Sequence, residues 1–151
     1  MLFDVGAEYN NYAADISRTT AVGGKFNRRQ RQICESVQIV QRGAMKLLEP
    51  GVVMAEYERA VAELMKTQLI KLKLLKKSSP LKSVRKYFPH GTSHFLGLDV
   101  HDVGDYSKPL AAGVVLTVEP GIYVPEESIG VRIEDDVLIT ENGCQSLSRA
   151  S

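Results

Sequence analysis

Acidic and histidine side chains recur in this sequence where a strand would ordinarily carry apolar residues. Asp4 lies within Leu2-Phe3-Asp4-Val5, and Asp15 within Ala14-Asp15-Ile16. Asparagine tolerates the positive φ of a tight turn, so Asn10-Asn11 is expected to join two strands with Tyr9 paired to Tyr12. That register sets Asp15 opposite Gly6 and puts Asp4 on the same face. The two aspartates become diagonal neighbours about 7–8 Å apart, with Gly6 leaving room between them. Aspartate is poorly suited to strand interiors, and two on one face repel unless something positive sits between them. Near the other end, Val131, Ile133 and Asp135 alternate with Arg132, Glu134 and Asp136, so one strand face carries an arginine and two acids. Glu119 stands at the end of Leu116-Thr117-Val118, just before the turn at Pro120-Gly121. All three histidines, His90, His94 and His101, fall within twelve residues.

Each of these residues alone has an ordinary structural explanation; together they do not. Four carboxylates and an imidazole gathered without cations would be prohibitively costly to bury. Two divalent ions would neutralise them. A donor set of carboxylates with one imidazole suits manganese, with zinc or cobalt as substitutes. No short metal-binding pattern such as H-E-x-x-H occurs, so this reading rests on convergence of distant residues.

The elements that must position these residues are legible from periodicity. Leu2 to Tyr9 and Tyr12 to Val22 read as paired strands, closed by Gly23-Gly24. Asn27 is placed to cap a helix with apolar residues at Ile33, Val37, Val40, Ala44 and Leu47, ended by Pro50-Gly51. A second helix is predicted from about Ala55 to Leu75, with Tyr57, Val61, Leu64, Gln68 and Leu72 on one side and a break at Ser78-Ser79-Pro80. From His90 onward the pattern becomes short strands punctuated by glycine. Val114 to Glu119 and Val131 to Thr140 are predicted strands, the latter followed by a turn at Asn142-Gly143. A hairpin, two helices and then antiparallel strands predict an α+β domain with helices on one face of a curved sheet.

Composition narrows the function classes. The formal net charge of +1 gives no whole-molecule field for nucleic acid or membrane. The longest apolar runs are too short to span a bilayer. Lys66 to Lys86 holds eight Lys or Arg and no acid; without interleaved aromatics it reads as a solvated helix face, not a nucleic-acid surface. An acidic protein partner is the lesser reading of that stretch. Cys34 and Cys144 are far apart and fit no metal spacing, so they are expected as free thiols in a cytoplasmic protein.

At the residues singled out above, the sequence resembles the pita-bread metallopeptidases, in their Xaa-Pro aminopeptidase and prolidase branch. The stretches that carry the resemblance are Phe3 to Tyr9, Ala14 to Thr19, His90 to Gly104, Leu116 to Tyr123 and Gly130 to Asp136. The resemblance implies metal ligands at Asp4, Asp15, His94, Glu119 and Glu134, with Asp15 and Glu134 shared by two ions. It implies that His101 contacts substrate, that His90 lies beside the site, that Arg132 is an electrostatic neighbour of the ligands, and that Glu119 carries protons. The activity implied is hydrolysis of the Xaa-Pro bond at a peptide N-terminus by hydroxide held between two divalent metals.

The resemblance further implies an upstream half of the sheet and, in many members, an N-terminal domain, neither within these 151 residues. The chain is therefore read as one incomplete catalytic domain, the C-terminal part of the fold, inactive alone and prone to dimerise through an exposed apolar face. Ala111-Ala112-Gly113 replaces the proline-glycine turn expected before Val114. Alternatives are an Xaa-Pro dipeptidase and a pita-bread module that binds without cleaving.

Overall fold

A computed structural model describes residues 1–148. The N-terminal hairpin consists of β1 (Leu2–Val5), β2 (Glu8–Tyr9), β3 (Tyr12–Ala13) and β4 (Ile16–Thr19). Tyr9 pairs with Tyr12 and Asp4 with Ser17, the register the sequence predicts. The strands are interrupted around Gly6 and Asp15, where a Cβ on Gly6 would stand 1.6 Å from the Ala14 carbonyl oxygen. Gly6 thus admits the opposite main chain, where the sequence suggested only clearance between aspartates. Asn10 and Asn11 both take positive φ, 50° and 66°, as the two-residue turn requires.

Helix α1 (Arg28–Met45) begins at a reciprocal cap: Gln30 N–H donates to the Asn27 side chain, and Asn27 N–H donates to the Gln30 side chain. It buries Ile33, Val37, Val40 and Ala44. The helix stops before Pro50-Gly51, so Leu47 leaves the predicted stripe and is exposed, while Leu48 enters the core. Helix α2 (Met54–Lys71) also ends earlier than predicted, where Lys73 adopts φ 62°. Met65 takes the buried place expected of Leu64, and Leu64 lies over α1: a Cβ on Gly43 would fall 2.7 Å from its Cδ1. The cationic stretch from Lys66 to Lys86 is accordingly no single helix face. It crosses the end of α2, a turn, and a 3-10 helix at Leu81–Lys86, where Lys86 pairs with Glu126 at 2.6 Å.

The predicted short strands from His90 to Gly113 do not form. The segment is irregular, with isolated bridges at Phe95–Leu116 and Val53–Pro109. Several of its backbone groups are satisfied by the strand beside it: Thr117 N–H donates to His94 O and Glu119 N–H to Thr92 O.

Strands β5 (Val115–Val118), β8 (Asp135–Thr140) and β9 (Gly143–Ser146) form one antiparallel sheet, and β6 (Gly121–Val124) pairs with β7 (Ile129–Arg132). The predicted strand from Val131 to Thr140 is thus broken at Ile133-Glu134, where Glu134 N–H turns to donate to Ser17 O of β4. Val118–Asp135 and Gly121–Arg132 nevertheless belong to one continuous register, which sets Glu119 opposite Glu134. Helix α1 packs on β5, β6 and β7 and against α2. The shared core includes Ile33, Val37, Val61, Met65, Leu116, Ile122, Val131 and Val137. The architecture is α+β, as predicted.

Candidate metal centre

Both hairpins are interrupted where they carry acids, and the two interruptions meet. Asp4 comes from β1, Asp15 from the gap before β4, Glu119 from the end of β5 and Glu134 from the break between β7 and β8. His94 is contributed by the irregular segment packed on β5. Donor atoms of Asp4, Asp15 and Glu134 lie within 4.8 Å of one another, as do those of His94, Glu119 and Glu134. His94 Nε2 is 3.6 Å from both Asp15 Oδ2 and Glu119 Oε1. The five residues from the sequence reading are therefore brought together.

Arg132 projects into this acid cluster. Its Nη2 lies 2.5 Å from Asp4 Oδ2, and its Nε lies 3.8 Å from Glu134 Oε2 and 4.0 Å from Glu119 Oε2. One guanidinium lies against three of the four carboxylates, and the carboxyl groups reflect the deficit. Burial raises Glu119 to about 8, reinforced by the Glu134 charge. Burial likewise raises Glu134 to about 7, with Asp15 adding to the rise. Burial and the Asp4 charge raise Asp15. Burial acts to raise Asp4 too, but its contact with Arg132 prevails and holds it below the ordinary value.

His90 stands beside the cluster. Its Nε2 is 2.8 Å from the Tyr123 hydroxyl, and its Nδ1 is 2.8 Å from Gly91 O and 3.8 Å from Glu119 Oε2. The His101 ring lies 4.3 Å from that of His94, and with Asp15 the two histidines make a third group of converging donors. His101 is exposed and lines an open cavity of about 400 Å³ together with Asp4, Asp15 and Val100. This space adjoins Asp4 and Asp15 of the cluster.

Three participants escaped the sequence reading or were left without a role. Ser17 is fully buried; its hydroxyl lies 2.6 Å from Glu134 Oε2 and 3.1 Å from Asp4 Oδ1 and accepts from Arg132 Nε–H at 2.8 Å. The register that places Asp4 opposite Ser17 was sufficient to find it. Asp136 is 5% exposed and accepts from Asp15 N–H at 3.2 Å, holding a candidate ligand by its main chain. Tyr123, which meets His90, carried no sequence signal beyond strand propensity.

The donor set fits divalent cations. Glu134 is 1% exposed, and its Oε1 is buried without a hydrogen-bond partner among the described residues. An unpartnered carboxylate oxygen is costly to bury, and it faces a cluster made of oxygens and an imidazole. Such donors suit borderline-hard ions.

Several known proteins are similar to this chain. The chain is 44% identical to Xaa-Pro aminopeptidase of Escherichia coli, over 98% of its own length and 37% of the relative's. It is 37% identical to Xaa-Pro dipeptidase of Pyrococcus furiosus, over 99% of its own length and 39% of that protein's. Among solved structures, a variant of Escherichia coli aminopeptidase P in complex with substrate superposes with a TM-score of 0.87 at 43% identity, covering 97% of this chain and 37% of that one. The chain thus spans under half the length of these relatives, and it shares the pita-bread architecture of aminopeptidase P. The sequence profile of Metallopeptidase family M24 matches residues 1–141. Because that match runs through all four carboxylates and all three histidines of the cluster, the chain belongs to metallopeptidase family M24.

Proposed function

We propose that this chain carries the two-metal centre of an aminopeptidase that releases the first residue from peptides with proline in second place. The observation that carries the proposal is the convergence of Asp4, Asp15, His94, Glu119 and Glu134 from separate segments around a buried, unpartnered carboxylate oxygen. These residues would hold two divalent ions, manganese being the best match to the donors, with zinc or cobalt as substitutes. The ions would acidify a shared water to near neutrality and polarise the scissile carbonyl.

The chain's own residues supply the rest. Glu119, a carboxylate 3.6 Å from His94 Nε2 at the heart of the cluster, would take a proton from the attacking water as a general base and return it to the leaving amine. His101, exposed at the cavity edge, would donate to the developing oxyanion. Arg132 fixes Asp4 and balances part of the acid charge, and His90 is steadied by Tyr123. A proline on the leaving side has no N–H, so the site would recognise the ring by shape. The likeness to an Xaa-Pro dipeptidase supports a second reading, in which only dipeptides are accepted.

The test is to strip the chain with chelator, count Mn²⁺, Co²⁺ or Zn²⁺ ions taken up, and assay Xaa-Pro dipeptides against longer Xaa-Pro peptides. Two ions with cleavage of longer peptides supports the aminopeptidase; cleavage of dipeptides alone selects the second reading. Two ions without cleavage favours a binding module, or a domain that needs the upstream half. A chain that takes up no ions refutes the centre.

The remaining assignments are proposals of the same rank. Cys34 and Cys144 are both free thiols, and among the described residues no helix is long and apolar enough to cross a membrane; the cytoplasm is the compartment proposed. Phe3, Val5, Tyr9 and Tyr12 are exposed on the N-terminal hairpin, and a second copy is proposed to cover them. Sedimentation of a clean monomer at high concentration would refute that.

A further inference from the structure

The loop that presents the histidines, His90 to His94, has no regular structure of its own. Something must therefore fix its distance from the acids. On one side it is held by β5: Thr117 N–H donates to His94 O at 3.0 Å, and His94 N–H donates to Thr117 Oγ1 at 3.2 Å. On the other side lies α2. Glu58 accepts from Thr92 N–H at 2.7 Å through Oε1 and from the Thr92 hydroxyl at 3.0 Å through Oε2. The preceding residue, Tyr57, brings its hydroxyl to 3.1 Å from Ser93 Oγ. Consecutive residues of the helix thus hold consecutive residues of the loop, and Thr92 is fully buried at the junction. The Thr92 carbonyl in turn accepts from Glu119 N–H at 2.8 Å.

We infer that Glu58 is a positioning residue for the metal centre. By gripping Thr92 at both its amide and its hydroxyl, it sets where His90 and His94 stand and where the main chain of Glu119 is tied. It touches none of the five candidate ligands; its effect passes through Thr92. The contact is bidentate and directed at one residue, unlike the solvated glutamates elsewhere on the helices. This inference rests on the metal-centre reading.

The test is calorimetric titration of the chelated chain with Mn²⁺, alongside thermal unfolding of the metal-free form. Glu58→Ala is expected to weaken Mn²⁺ binding about ten- to a hundredfold, the usual consequence of removing a group that orients a ligand. Glu58→Gln keeps an acceptor for the Thr92 amide and a donor for its hydroxyl oxygen, so it is expected to bind within about threefold of the unaltered chain. Thr92→Val, which removes only the hydroxyl arm, is expected to fall between them and serves where Glu58→Ala does not fold. Unaltered Mn²⁺ affinity in Glu58→Ala and Thr92→Val, with only the metal-free unfolding temperature lowered, would overturn the inference while leaving the centre intact. A loss in Glu58→Gln equal to that in Glu58→Ala would also overturn it, since charge and not geometry would then be at work. No binding by the unaltered chain would remove the centre and this inference together.

Discussion

Raising the pH of the metal-free chain from about 6 to 8.5 is expected to destabilise it, against the usual behaviour of paired carboxylates. Glu119 titrates at about 8 in the folded chain against an ordinary 4.5. Between those values the native state keeps a proton that the unfolded chain has released, so stability falls as pH rises. The contribution is fully present below 4.5 and gone above about 8. At 1.36 kcal/mol per pH unit the full shift corresponds to at most about 5 kcal/mol, less whatever solvent screening removes. Glu134, raised to about 7, acts in the same direction; because each glutamate raises the other, their contributions overlap and are not summed. Asp136 also acts in this direction but only up to about 6, and His90, lowered by burial, acts oppositely but only below 6.5. Asp15 is raised as well and acts with the glutamates; above about 6.5 the two glutamates dominate, and about two pH units there correspond to roughly 2–3 kcal/mol. For a chain of this size that lowers the unfolding temperature by roughly 5–10 °C. Circular dichroism melts of the chelated chain would read it directly. Saturating Mn²⁺ should abolish the slope, because the cations replace the protons, and Glu119→Gln should flatten it. An unfolding temperature unchanged between pH 6.5 and 8.5 in the chelated chain, or an undiminished slope in Glu119→Gln, would refute the reasoning.

Removing the Glu134 carboxylate by Glu134→Ala takes away a donor shared by two of the converging groups, so bound Mn²⁺ measured by elemental analysis should fall from two ions to one or none. Ser17→Ala leaves Arg132 Nε and Glu134 Oε2 each short of a buried partner and should cost about 2 kcal/mol by denaturant titration, with weakened Mn²⁺ binding. Asn27→Ala opens the reciprocal cap of α1 and should cost about 1 kcal/mol while leaving Mn²⁺ affinity unchanged, separating general stability from the centre.

What the sequence disclosed, and what it hid, divides along a physical line. The hairpin register was legible because Asn10-Asn11 admits a tight turn and side chains alternate with period two; the pairing of Asp4 with Ser17 follows from it. The capping of α1 was legible because Asn27 is the residue type that accepts a first-turn amide. Helix ends were less so: α2 stops at a left-handed lysine, Lys73, which no local rule announces. The loop from His90 to Gly113 resembled strands because glycine-punctuated apolar runs suit both. Its hydrogen bonds are made without strand pairing, to β5 through Thr117 and Glu119, to Glu58 of α2, and within the loop itself. Glu58 was invisible for the same reason: an acid on a helix exposes nothing, in sequence, of the threonine 34 residues away that it holds.

The break at Ile133-Glu134 joins these threads. A continuous strand from Val131 to Thr140 would have kept Glu119 and Glu134 paired directly within a ladder, where like charges destabilise. Instead the pairing opens there, and Glu134 N–H turns to Ser17 O. The first hairpin opens in the same way at Gly6, beside Asp15. Each hairpin thus gives up ladder hydrogen bonds where its acids face inward, and the two openings are sewn together by Ser17 and Arg132. Arg132 offsets only one of four negative charges. Without cations the remainder is relieved by protons on Glu119 and Glu134, at the cost of stability as pH rises. The interruptions that spoil the sheet are therefore the same ones that make a place for divalent ions.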